Sequence, residues 1–338
     1  MPRILTSDRI AADPFGESIP MTAHARIRIL GADFRFRSHS PQLLQLVAGA
    51  YGNLPRHRLK TAPPAITVQL VFTADDHAAT WTTPPHPQAQ AGAGLLCGSM
   101  DAANFVALAP EARSGVVAIS RRLLQFPYYA RYELLEFAVC TLASRVQRLM
   151  PLHAACLAKR RRGVLLMGDS GAGKTTVAAH SILSGLDILS EDSTFVCPTT
   201  GLATGVANYI HVRPDALQFM SVRQAAAWRR YSTTIHRRSG VEKLEVDLRR
   251  LGCRLAPSAC RLAAIVFVTA RSAAKGPLLR PIRAREALAR LEALQAYATH
   301  RQGWNRFLRL VSGLSHWELR RGTHPDAAVA SLQALLTV

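Results

Sequence analysis

No apolar run in this 338-residue chain is long enough to span a bilayer, and its start, MPRILTSDRIAADPFGESIP, lacks the apolar stretch of a secretory signal. A membrane protein is set aside, and a soluble cytoplasmic one is the expectation. The six cysteines (Cys97, Cys140, Cys156, Cys197, Cys253, Cys260) form no CxxC pair and have no His partners at metal spacing. That argues against a disulfide framework or a zinc site and fits a reducing compartment. Acid is scarce: 22 Asp+Glu stand against 42 Lys+Arg, a formal net charge of +20. Such a field attracts nucleic acid, anionic membrane or an acidic peptide. The arginine pairs, however, are scattered (Arg121/Arg122, Arg229/Arg230, Arg320/Arg321) rather than gathered in an aromatic-interleaved patch. This speaks against nucleic acid and leaves an acidic substrate as at least as good a reading.

What the chain does have is a 49% apolar content, ordinary for a globular protein, and enough length for about two domains. Residues 1–22 read as a poorly ordered tail. ARIRIL and FRFRS alternate around Gly-Ala-Asp and predict a β-hairpin, and SPQLLQLVAGAYG, with Ser then Pro, predicts a helix. AITVQLVF is a strand, and residues 73–94, rich in Pro, Ala and Gly, read as a long exposed loop. LLCGSM, NFVALAP and SGVVAIS are strand-like, which predicts a small α+β N-terminal domain on an antiparallel sheet over residues 23–127. A periodic helix over 128–149 opens the second domain, 128–338. There LHAACLA and GVLLMG read as strands joined by a basic turn at 159–163, and CRLAAIVFVTA as a core strand. Helices are expected over 283–297 and 302–310, then a strand at SHWELRR and a closing helix at DAAVASLQALL. No internal repeat is visible.

Residues 168–175, Gly-Asp-Ser-Gly-Ala-Gly-Lys-Thr, fit GxxxxGK[ST] directly after the apolar strand and before the helical run TVAAHSIL. Strand, loop and helix in that order are the context a phosphate-binding loop requires. Gly168, Gly171 and Gly173 let the backbone of Asp169, Ser170 and Ala172 turn its N–H groups inward, forming an anion nest at a helix start. Lys174 would reach the β- and γ-phosphates, the Thr175 hydroxyl would ligate Mg²⁺, and Thr176 completes the first turn. ATP with Mg²⁺ is the expected ligand. Beyond the helix, Ser190-Glu191-Asp192 closes the next strand, and parallel neighbours end on the same side of a sheet. Glu191 or Asp192 can therefore meet Thr175 across a metal. His153, at the start of LHAACLA, reads on its own as a structural histidine. The run at 159–162 reads as a solvated hairpin tip rather than a localisation signal.

Taken together these residues resemble the HPr kinase/phosphorylase superfamily, whose core is shared with phosphoenolpyruvate carboxykinases. The matching pieces are Leu152-His153-Ala154-Ala155, the 168–175 loop, Ser184-Gly185 and Ser190-Glu191-Asp192. His153 lies 21 residues before Lys174, and Asp192 lies 18 after it. The resemblance implies a P-loop α/β C-terminal domain of that type, with Asp192 as proton acceptor, Lys174 and His153 in the active site, and Thr175 with the acids 191 and 192 on Mg²⁺. It also implies self-association, since such relatives form rings. The match departs in three ways, one being that the rest of the signature for the phosphorylase reaction is missing, so kinase rather than phosphorylase activity is what the resemblance implies. Glu191 stands where the first Asp of a pair is usual, and Tyr209-Ile-His-Val-Arg213-Pro214 replaces the downstream Glu-Ile-Arg-Gly. The short strands ahead of Leu152 look like those of HPr-kinase-related proteins encoded with peptide-modification genes, some of which phosphorylate a serine of a lasso-peptide precursor. An ATP-dependent kinase acting on a serine of a protein or ribosomally made peptide is thus the expectation. Arg213 and Lys243 are candidates to contact phosphate or substrate. A small-molecule kinase on the same core, an ATP-binding regulatory module without transfer, and a nucleic-acid-dependent ATPase remain the alternatives.

Overall fold

Alternating side chains begin the fold: Phe34 and Phe36 are buried while Arg35 and Arg37 face solvent. The computed structural model describes residues 19–73, 81–273 and 276–337. Most of the expected tail, 1–18, and residues 74–80 of the expected loop lie outside them. β1 (Ala23–Ile29) and β2 (Ala32–Ser38) pair antiparallel, closing on Leu30 and Gly31, whose φ angles are 51° and 82°. The turn thus precedes Ala32-Asp33, which already belong to β2; two residues of positive φ match the twist of the strands.

α1 (Pro41–Tyr51) carries the chain from β2 to β3 (Ala65–Thr73), and β3 lies parallel to β2 and to β7 (Ser114–Ser120). The N-terminal sheet is therefore mixed rather than antiparallel, because a helical crossover returns the chain in the same direction. β4 (Gln88–Gly92), β5 (Leu95–Ser99) and β6 (Phe105–Ala109) complete it as a meander, giving the order β1-β2-β3-β7-β6-β5-β4. β4 falls inside the stretch read as a loop. All five of its residues are exposed, so it shows no apolar alternation and is held by backbone pairing to β5 alone.

The next helix, α2, runs through Pro127–Tyr129, widens to a π-helix over Ala130–Glu136, and continues as α-helix over Phe137–Gln147. Leu134, Leu135, Ala138 and Leu142 are fully buried in one cluster with Phe34, Val68 and Val117. The helix that sequence grouped with residues 128–338 therefore packs onto the N-terminal sheet.

In the following sheet, β8 (Met150–His153), β9 (Ala155–Lys159) and β10 (Arg162–Met167) come first, then α3 (Lys174–Leu183), β11 (Asp187–Ser190), β12 (Ser193–Val196) and β13 (Leu202–Gly205). A small antiparallel sheet of β14 (Tyr209–Val212), β15 (Ser232–His236) and β16 (Glu242–Asp247) carries α4 (Val222–Arg230). The chain returns with β17 (Cys260–Ser272), β18 (Leu279–Pro281), α5 (Ala284–Leu294), α6 (Trp304–Ser312), β19 (Ser315–Arg321) and α7 (Pro325–Thr337). The main sheet runs β11-β9-β10-β17-β13-β12-β8, with β19 beside β17 and β18 beside β19.

Both faces of this sheet are covered, so β10 is apolar at every step from Val164 to Met167. Val164 and Leu166 pack with Ala178 of α3 and Leu332 of α7, while Leu165 and Met167 pack with Leu291 of α5 and Phe307 of α6. The molecule is a mixed α/β protein of several sheets. Two expectations are corrected. LHAACLA is two strands, with His153 ending β8 rather than starting β9, because the chain changes partner there: β8 pairs with β12, a register the Ala154 N–H continues to the Asp192 carbonyl at 3.1 Å, while β9 pairs with β10 and β11. β11 also is not the neighbour of β10: antiparallel β9 lies between them, and the parallel neighbour of β10 is β17.

Candidate active site

At the end of β10 the chain bends at Gly168, φ 150°, where a Cβ would approach the Val268 carbonyl oxygen to 2.3 Å. A side chain there would collide with backbone, so the loop depends on glycine. α3 begins after Gly173 (φ 100°), which brings no capping side chain. The N–H groups of Lys174, Thr175 and Thr176 have no helical acceptor by geometry and point out of the helix start, where an anion is favoured. Asp169 and Ser170 are exposed, and the Asp169 carbonyl closes a turn on Ala172 N–H at 3.2 Å. Lys174 is only 9% exposed and donates to the Gly168 and Asp169 carbonyls at 2.6 and 3.2 Å. Burial lowers its pKa, while Asp192, Glu191 and Asp169 oppose the shift.

The acids at the β11–β12 junction divide. Glu191 turns inward and accepts the Thr175 hydroxyl at 2.7 Å. Asp192 turns outward and meets His153 Nε2 at 2.7 Å, the two side chains being 42% and 49% exposed. Burial favours the neutral Asp192, but the hydrogen bond and charge of His153, with Arg237 and His211 nearby, win and hold its pKa down at about 2. His153 is fixed from behind: the Gln295 amide oxygen accepts its backbone N–H at 2.8 Å, and the amide nitrogen donates to its carbonyl at 3.2 Å. Thr194 donates to the Ala154 carbonyl at 2.8 Å and meets Ser190 Oγ at 2.6 Å, locking the junction that carries both acids.

Beyond Glu191 lies a network that sequence reading did not find. His211 of β14 places Nδ1 3.4 Å from Glu191 and Nε2 3.1 Å from Glu245 of β16. Burial opposes a charge on this ring, but the two carboxylates outweigh it and raise its pKa. Arg131, on the π-helical part of α2, donates to Glu245, and Tyr132 OH lies 2.7 Å from His211 Nε2. His211 sits in the 209–214 stretch that replaces the expected signature. The signal that could have found the network was a charged residue, Glu245, in the buried half of a strand, together with Arg131 on the apolar side of a helix.

Lys243 is half-buried. Burial and then Arg237 lower its pKa, against the pull of Glu191 and Asp192. Arg213 keeps 65% of its side chain in solvent and pairs with Asp215 at 3.6 Å rather than with either acid.

Among the described residues no three His, Cys, Asp or Glu side chains converge as a metal cage. Mg²⁺ does not need one: it keeps several waters and takes one or two carboxylates beside substrate phosphates. The Thr175 hydroxyl and Glu191, 2.7 Å apart, are an all-oxygen pair of that kind next to the loop and fit the ion, while Asp192 is turned to His153.

No protein-family model and no curated protein matches the chain. Among solved structures it is similar to the Hpr(Ser) kinase/phosphatase from Coxiella burnetii, at 14% identity over 55% of this chain and 87% of that one, with a TM-score of 0.23. That likeness is too loose to bear on function. No helix among the described residues is long and apolar enough to cross a membrane.

Proposed function

We propose that the chain is an ATP- and Mg²⁺-dependent phosphotransferase that phosphorylates a serine hydroxyl of a protein or ribosomally made peptide. The observation that carries this reading is the split of two consecutive acids beside a phosphate-type loop, Glu191 on Thr175 and Asp192 on His153, each at 2.7 Å. The loop N–H groups and Lys174 bind the triphosphate; Lys174 exchanges the Gly168 and Asp169 carbonyls for phosphate oxygens. Thr175 and Glu191 hold the metal, which when bound neutralises charge on the phosphates. Asp192, ionised throughout the physiological range, accepts the incoming hydroxyl as a hydrogen bond and takes its proton as the phosphoryl group transfers. A low pKa suits this step, because phosphoryl transfer relies on positioning and electrostatics more than on a strong base. His153, fixed by Gln295, aims the Asp192 carboxylate. Lys243 supplies positive charge at the mouth of the site. The test is incubation with γ-labelled ATP and peptides encoded beside the gene, followed by mass spectrometry. A phosphoserine that disappears in Asp192→Asn supports the reading, while ATP binding without label transfer to any hydroxyl acceptor rejects it.

A further inference from the structure

The short ladder of β8 and β12 has two ends. Ser193 pairs with His153 and Val196 with Met150, so His153 and Asp192 mark one end, and Cys197 with Arg148 the other. At that far end lies a cavity of about 710 Å³. Lys60 and Arg148 line it from the N-terminal half, and Arg301, Arg306 and Arg309 from the segment entering α6 and from α6 itself. No Asp or Glu lines it, and among the described residues none of these five cations is in an ion pair. The cavity also takes in the start of α6, where Gly303 provides no capping side chain and the first turn holds no acid. Like charges gathered around one concavity repel one another, and burial with the neighbouring Arg145 already lowers the pKa of Arg301. An uncapped helix start among five unpaired cations is a setting for carboxylates.

We infer that this cavity binds an acidic segment of the polypeptide acceptor, at a fixed distance along the chain from the hydroxyl that receives phosphate. The inference rests on the phosphotransferase reading for its link to Asp192. The distance follows from the ladder. Asp192 and Cys197 are five residues apart in extended chain, roughly 16 Å at about 3.3 Å per residue. An acceptor bound in extended form would therefore place its acidic side chains about five residues from the serine. A small free anion could fill the cavity but could not reach Asp192. A single-stranded nucleic acid needs exposed aromatic faces to stack on, and the one aromatic ring in the lining, Trp304, is only 5% exposed.

The experiment measures fluorescence anisotropy of a labelled oligoglutamate peptide, without any hydroxyl residue, on the full chain. Wild type should bind, and Arg306→Gln with Arg309→Gln should weaken binding by about tenfold or more, as loss of charge-assisted contacts predicts. Lys174→Ala, at the other end of the ladder, should leave the peptide affinity unchanged. Equal affinity in the Arg306/Arg309 double variant overturns the inference, and so does tighter cavity-dependent binding of an oligonucleotide of equal charge. Arg306 and Arg309 are exposed, so the fold should survive; Arg148→Gln gives a second, independent variant. ATP binding and label transfer are measured separately on the same proteins. Cavity-dependent peptide binding without any transfer would retain the acidic-peptide site and reject the phosphotransferase.

Discussion

Glu191 and Asp192 are neighbours in the chain, yet one side chain is 6% exposed and the other 42%. The buried branch runs from Thr175 through Glu191, His211 and Glu245 to Arg131, and every carboxylate in it already has its partners. The open branch is a single contact, His153 to Asp192, with solvent on both sides. A buried carboxylate already bonded to protein partners fixes geometry, for Glu191 beside Thr175 and the metal site, whereas a half-exposed one can receive a new donor. One junction thus joins a rigid anchor to a group available for chemistry.

Asp192→Asn acts on the open branch alone. Turnover should fall by about 10²–10⁴-fold, the usual worth of a general base, with ATP affinity and thermal midpoint nearly unchanged. Full activity in that variant, measured on the true acceptor, would move the base elsewhere. On the buried branch Glu245→Ala should do the reverse. It strands Arg131 and His211, and removing one partner of a buried ion pair costs about 3–5 kcal/mol, to be read from urea unfolding. A loss under about 1 kcal/mol would show that the network is not an anchor.

Lys174→Ala touches neither branch directly. It removes a charge-assisted contact to phosphate, so ATP affinity should drop by roughly 10–100-fold in calorimetry while the fold persists. The smallest effect concerns pH. Burial, reinforced by Glu245 and Asp192 against Arg131 and His211, pushes the Glu136 carboxyl up to about 7 from an ordinary value of 4.5. The folded protein therefore binds more protons than the unfolded chain between those values, and stability declines as pH rises from about 4.5 to about 7. Glu136→Gln should flatten that slope and raise the melting temperature on the alkaline side, a series of melts sufficing to see it.

The legible part of the site was local in sequence. The phosphate loop lies within eight consecutive residues between a strand and a helix, and those neighbours are its context. The buried branch was not legible because its partners are far apart in the chain: Arg131 meets Glu245 across 114 positions, and His211 meets Glu245 across 34. Nothing in either segment marks the other. The same limit explains the sheet. The alternation of β1 and β2 shows in the letters, but the break between β8 and β9 comes from a change of partner, His153 pairing with Ser193 and Ala155 with Leu166. β4 left no pattern at all, since a strand that buries neither face has no reason to alternate.

The π-helical stretch Ala130–Glu136 gives the helix it belongs to a second function. It faces two ways: Leu134 and Leu135 into the N-terminal core, Arg131 toward Glu245. A π turn holds more residues than an α turn, and each α-helical residue advances by about 100°. Relaxing the stretch to regular pitch with all its residues kept would swing Arg131 off Glu245 by about a quarter of a circle relative to Phe137–Gln147, whereas deleting one residue between 132 and 136 would restore regular pitch with Arg131 still facing Glu245. The stretch is thus a register mark, in which wider turns take up an extra residue so that Arg131 and Phe137–Gln147 each keep their facing.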